Sequence, residues 1–152
     1  MNKHTPIQHL ATYDSDFYLW SANQAALIRE GKFDQLDIEN VAEEIESLGR
    51  SDRKSMMSQL QRLLSHLLKW QFQPSRRSKS WRLSIYSARE EIGVLVEDSP
   101  SLNESLSSGL AKAYLAARKR AALETGLPSE DLPSECPYSL GQILNEDFWP
   151  ES

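Results

Sequence analysis

The chain has 152 residues, 26% charged and 39% hydrophobic, with a formal net charge of −5, which fits one domain able to bury a core of its own. That acidity excludes a protein whose whole surface binds nucleic acid or anionic membrane, while leaving a local basic patch open. Cys136 is the single cysteine, so an internal disulfide and a cysteine metal cluster are excluded and a reducing compartment is expected.

Residues 1–12 read as a loose leader, followed by a single helical domain over residues 13–150. The opening MNKHTPIQHLATYDSD has no continuous apolar region, so a secretion signal is not expected. No run approaches the roughly 20 apolar residues of a membrane span, and the expected location is the cytoplasm. Asp14 is placed to cap a first helix whose face is Tyr13, Phe17, Trp20, Gln24, Leu27 and Ile28, with Gly31 in the left-handed position at its end. Asp37 is placed to cap a second helix with the face Ile38, Val41, Ala42, Ile45 and Leu48, ended by Gly49. Ser51 then opens a third helix, so that the two form a hairpin-like pair.

The third helix carries the strongest apolar stripe, Met56, Leu60, Leu63, Leu64, Leu67, Leu68 and Gln71, with Trp70 at its edge. Its width suits neighbours on more than one side. Pro74 stops it. A basic turn follows, with Arg76, Arg77, Lys79 and Arg82 around Trp81. The fourth helix starts near Ser78 or Ser80 with the stripe Trp81, Ile85, Ala88, Ile92 and Leu95, closed by Ser99–Pro100. Ser101 and Glu104 form a capping-box pattern for a fifth helix that runs to Thr125 and stops at Gly126. Its small residues Gly109, Ala113, Ala116 and Ala117 let a neighbour approach closely, which places helices three and five at the centre. Residues 126–150 are expected as a Pro-rich arm packed on the bundle, since Phe148-Trp149-Pro150 is too apolar for water. The fold expected is therefore all-α, a bundle of about five main helices.

Glu43, Glu44 and His66 are the candidates for acid–base or metal chemistry. The plainer alternative is a solvated acidic face, with Arg50 answering Glu46 across one turn, and a half-buried His66 with one satisfied hydrogen bond. Leu63 stands three residues before His66, so the Glu-x-x-His pair of di-iron bundles is missing. No metal or other cofactor is expected. A nucleophile elbow and a phosphate-cradling glycine loop are also missing. The turn RRSKSWR is the strongest positive signal: its cations suit phosphate or carboxylate, and Trp81 offers a stacking face. The competing structural reading pairs Arg77 and Arg82 with Glu43, Glu44 or Glu46. Arg120 and Glu124, one turn apart, read as a structural ion pair.

The segments YDSDFYLW, LDIENVAEEIESLGRSDRKSM, LLSHLLKWQFQPSRRSKSWRLSI, SPSL, ETGLP and CPYSLGQILNEDFWP resemble the bacterial domain-of-unknown-function family 29, in the family's order and over nearly the whole chain. The resemblance implies an all-helical fold in a bacterial protein and carries no established activity. Three readings of function stand. The first is a non-catalytic, partner-binding regulatory protein, the second a nucleic-acid-binding protein using the 76–82 turn, and the third an enzyme with an acidic helical site. Net acidity and the missing motifs favour the first, with an unidentified protein partner and no membrane. A homo-oligomer stays open. The candidate patch is Glu43, Glu44, His66, Trp70, Arg77, Trp81 and Arg82.

Overall fold

In the computed structural model, which describes residues 11–151, 75% of the described residues are helical and none is in a strand. The leader up to residue 10, with His4 and His9, lies outside the described residues. Two compact units divide the chain, the first ending at Arg50 and the second beginning at Ser51.

The first unit contains helix α1 (Phe17–Arg29), a 3-10 turn at Phe33–Gln35 and the opening part of α2. Asp16, not the expected Asp14, caps α1: its carboxylate accepts the Leu19 amide at 3.0 Å, satisfying one of the four unpaired first-turn donors. Gly31 turns the chain with φ 71°, a conformation glycine adopts without a Cβ clash. Trp20 is buried within an aromatic cluster, its ring centroid 4.9 Å from Tyr13 and 5.6 Å from Phe17. The indole N–H donates to Asp37 at 3.0 Å, and Gln24 accepts the Asp37 amide at 2.8 Å.

The expected hairpin at Gly49 is not formed. Helix α2 is continuous over Ile38–Phe72, 35 residues, and positive φ among the described residues occurs at Gly31 and Gly126, not Gly49. One glycine costs a helix only about 1 kcal/mol, and a proline, which would stop it, is absent until Pro74. Arg50 spans the site, holding Glu43 at 2.6 Å and Glu46 at 3.6 Å, which supports helix across Gly49.

In the second unit the rest of α2 is joined by α3 (Lys79–Asp98), α4 (Leu102–Thr125) and the short α5 (Leu140–Leu144). Leu60, Leu63, Leu64, Leu67 and Leu68 are fully buried, each contributing roughly 1.5–3 kcal/mol over an exposed position. Leu63, Leu64, Leu67 and Leu68 lie on more than one side of α2, so this helix is enclosed as its wide stripe implied. Ile85, Ala88 and Ile92 of α3, and Leu106, Ala113, Tyr114 and Ala117 of α4, complete the core. A Cβ at Gly109 would strike the Met57 side chain, so the small residue there does permit close approach.

Two caps differ from expectation. Ser101 lies in the helical region and makes no side-chain cap, so the Ser101–Glu104 box is not formed. A reciprocal box forms instead at Ser139 and Gln142, opening α5. Beyond Gly126, Leu132, Tyr138 and Ile143 are buried in the core cluster. Tyr138 donates to Gln71 at 2.6 Å and Tyr114 to the Pro133 carbonyl at 2.5 Å. Burial pushes the Tyr114 phenol up to about 12, so it stays protonated as a donor.

Candidate functional site

Three of the five α2 residues Leu64–Leu68 are apolar and fully buried, and Trp70 beyond them is buried too, so the helix ends against the core with its last carbonyls wanting donors. Arg77, the residue directly after the 3-10 turn Pro74–Arg76, answers that need. Its Nε donates to the Trp70 carbonyl at 2.8 Å, and its guanidinium lies 4.9 Å from the Trp70 ring centroid. A cation at a helix C-terminus also complements the negative end of the dipole. Arg82, one turn into α3, lies 5.7 Å from the Trp70 ring and 5.8 Å from Trp149. The two indoles are themselves 4.7 Å apart.

Trp70, Arg77, Ser78, Lys79, Arg82 and Leu83 line a cleft of about 480 Å³. A neighbouring cleft of about 410 Å³ is lined by Trp70, Arg77, Trp149, Pro150 and Glu151. Among the described residues, none of Arg76, Arg77, Lys79 and Arg82 forms an ion pair; the ion pairs there are made by Lys32, Arg50, Lys69 and Arg120. Cation–π contact with the indoles consumes no N–H donor, so the Arg82 guanidinium, which makes no hydrogen bond among the described residues, keeps its donors for an anion. Glu151 is the carboxylate on this rim.

The expected pairing of Arg77 and Arg82 with the acidic face is corrected on both sides. Arg77 serves Trp70, while Glu43 and Glu46 take Arg50. Glu44 accepts a hydrogen bond from the Tyr13 hydroxyl, and that bond, with burial and the charge of Glu44, raises the Tyr13 phenol above its usual range. The stacking face is also reassigned. Trp81 is half-buried against the core with the Lys69 ammonium 5.1 Å from its ring, and Trp70 lines the cleft in its place.

His66 is half-buried, with Nδ1 2.8 Å from the Arg62 carbonyl; such a contact requires the tautomer that donates from Nδ1. Burial holds its pKa below the ordinary value, against the opposing Arg62 carbonyl bond. The Arg120–Glu124 pair is present at 2.9 Å, and Glu124 also takes the buried Lys69 at 2.7 Å. These two bonds, Lys69 first, lower the Glu124 pKa. Among the described residues no three His, Cys, Asp or Glu side chains form a group that could hold a metal ion.

Sequence reasoning missed Arg89. It is 5% exposed and donates to the carbonyls of Ile143 and Phe148, both at 2.8 Å, and of Glu146 at 3.4 Å. The signal was present: Arg89 takes the i+4 place in the stripe Ile85, Ala88, Ile92.

Residues 12–149, which include every side chain of this cleft except Pro150 and Glu151, match the family described as Domain of unknown function DUF29. The chain belongs to that family. For this DUF29 domain, neither the curated proteins nor the solved structures give a match. No helix among the described residues is long and apolar enough to cross a membrane.

Proposed function

We propose that this DUF29 chain is a non-catalytic, partner-binding regulatory protein of the bacterial cytoplasm, which takes an anionic side chain of a protein partner into the Trp70–Arg77–Arg82 cleft. One observation carries the reading: two guanidiniums are stacked on Trp70 at the wall of an open cleft with no carboxylate paired to either among the described residues. A carboxylate or phosphate entering there meets Arg82 and Lys79 as charges and Leu83 as an apolar wall. The single cysteine supports the reducing compartment, and the family resemblance supports the bacterial source.

Fluorescence titration of the tryptophans tests it, with a Glu-rich peptide, the same peptide carrying phosphoserine, and a single-stranded oligonucleotide. Arg82→Gln with Lys79→Gln is the informative variant, because neither side chain has a hydrogen-bond partner among the described residues. Peptide binding weakened at least tenfold supports the proposal. Tighter binding of the oligonucleotide moves the cleft to nucleic acid, and equal affinity in wild type and variant removes it.

A further inference from the structure

The first unit carries a surface with a different chemistry. On α2 the side chains of Ile38, Ile45 and Leu48 are 64%, 64% and 70% exposed. They stand seven and three residues apart, one stripe along a helix. Ala42 and Gly49, also exposed, lie within the stripe, so a second helix can approach the backbone closely there. From Ile38 to Gly49 the stripe is about 16 Å long at the helical rise.

Its charge is equally one-sided. Residues 11–50 contain nine Asp and Glu against three Lys and Arg, whereas residues 51–152 contain thirteen of each. Glu39 and Glu46 fall together along one edge of the stripe. Arg50 already holds Glu43 at 2.6 Å and Glu46 at 3.6 Å, and the Asp37 and Glu44 carboxylates are bound by Trp20 and Tyr13. The local cation is therefore taken and the acidic excess remains.

We propose that this stripe docks a basic amphipathic helix of a partner protein, with leucine-type side chains on Ile38, Ile45 and Leu48 and lysine or arginine against the Glu39–Glu46 edge. A second copy of this chain would bring one acidic excess against another, so charge selects a cationic partner. This is independent of the cleft at Trp70, which is cationic and takes the opposite charge.

The probe is a fluorescent 14-residue Leu/Lys peptide of amphipathic helical pattern. Its Leu/Glu counterpart and a scrambled Leu/Lys peptide serve as controls, all titrated onto the full chain. The amphipathic basic peptide is expected to bind at least tenfold tighter than the scrambled one, while any binding of the Leu/Glu peptide, whose charge suits the Trp70 cleft, should be unchanged by the Ile45→Gln/Leu48→Gln variant. Ile45→Gln with Leu48→Gln should weaken it at least tenfold, glutamine being a good helix former that keeps α2 intact. Glu39→Gln with Glu46→Gln should weaken it several-fold and flatten its salt dependence. Amide exchange should slow on residues 38–49 when peptide is added. Equal binding of the scrambled peptide, unchanged affinity in Ile45→Gln/Leu48→Gln, or protection elsewhere on the chain overturns the proposal. So does a wild-type dimer in sedimentation that the same double variant dissociates, since that outcome assigns the stripe to a second copy.

Discussion

Arg89→Met removes the most heavily used buried charge in the second unit. The guanidinium makes two short bonds, to the Ile143 and Phe148 carbonyls at 2.8 Å, and a longer one to Glu146 at 3.4 Å. Two effects oppose each other. Burial disfavours the charged form and pulls the Arg89 pKa below its usual value, so an apolar replacement escapes that cost. Against this, a bond to a charged group contributes roughly 1.5–3 kcal/mol, and a buried carbonyl left without a donor costs about 1–3 kcal/mol. Ile143 is fully buried, so water cannot readily replace its donor, and the loss outweighs the gain. Arg89→Met should destabilise by about 3 kcal/mol. Arg89→Lys, which keeps the charge but lacks the fork, should fall between. Urea melts followed by tryptophan fluorescence measure this and report on Trp149, whose ring lies 5.7 Å from the guanidinium. A methionine variant within about 0.5 kcal/mol of wild type would refute the argument that Arg89 fastens residues 143–148 to α3.

Ser65→Ala should raise stability by roughly 1 kcal/mol in the same melts, because the Ser65 hydroxyl is 1% exposed and without a hydrogen-bond partner among the described residues, a desolvation cost that alanine removes; a destabilised alanine variant would mean the hydroxyl has a partner. His66 should make the fold acid-sensitive. Its folded pKa lies below the ordinary value through burial, with Lys69 and Arg62 adding to the shift and the Arg62 carbonyl and Glu124 opposing it, so the unfolded chain binds the proton first, and stability is full above about pH 6.5 and falls as pH drops below it. His66→Gln should flatten that part of the pH–stability curve, and parallel curves for the two proteins would remove His66 as the cause.

The helical segments were legible because their stripes are wide and their stops chemical. Gly31, Pro74, Pro100 and Gly126 each end or bound a helix through backbone geometry that neighbours seldom override. Gly49 misled because glycine only weakens a helix; without a left-handed turn or a proline behind it, the chain ran on to Phe72. The capping box at Ser101 failed for a related reason. The residues fit the pattern, but Ser101 is itself helical with φ −63°, so its side chain makes no cap hydrogen bond. His66 was legible as a half-buried group with one bond, since its place on the stripe border fixed its exposure.

The basic turn was legible as a place but not as a set of partners, and the cause lies in the backbone. Pairing charges by sign sends arginines to carboxylates, yet three arginines of the second unit go to main-chain carbonyls. Arg77 takes Trp70, Arg89 takes Ile143, Glu146 and Phe148, and Arg118 takes Ser129 and Leu132. Each of these carbonyls lies near a helix end or in the irregular stretch after Gly126, where no repeating ladder supplies a donor. A planar fork with five donors satisfies several such groups at once, which a lysine cannot. Composition shows how many cations a chain has, but demand from unpaired carbonyls depends on where helices stop and how the connecting chain crosses the core. Once that demand is met, the Arg82 and Lys79 side chains remain at the cleft without a hydrogen-bond or ion-pair partner among the described residues. Those two, more than Arg77, are where binding and stability should separate.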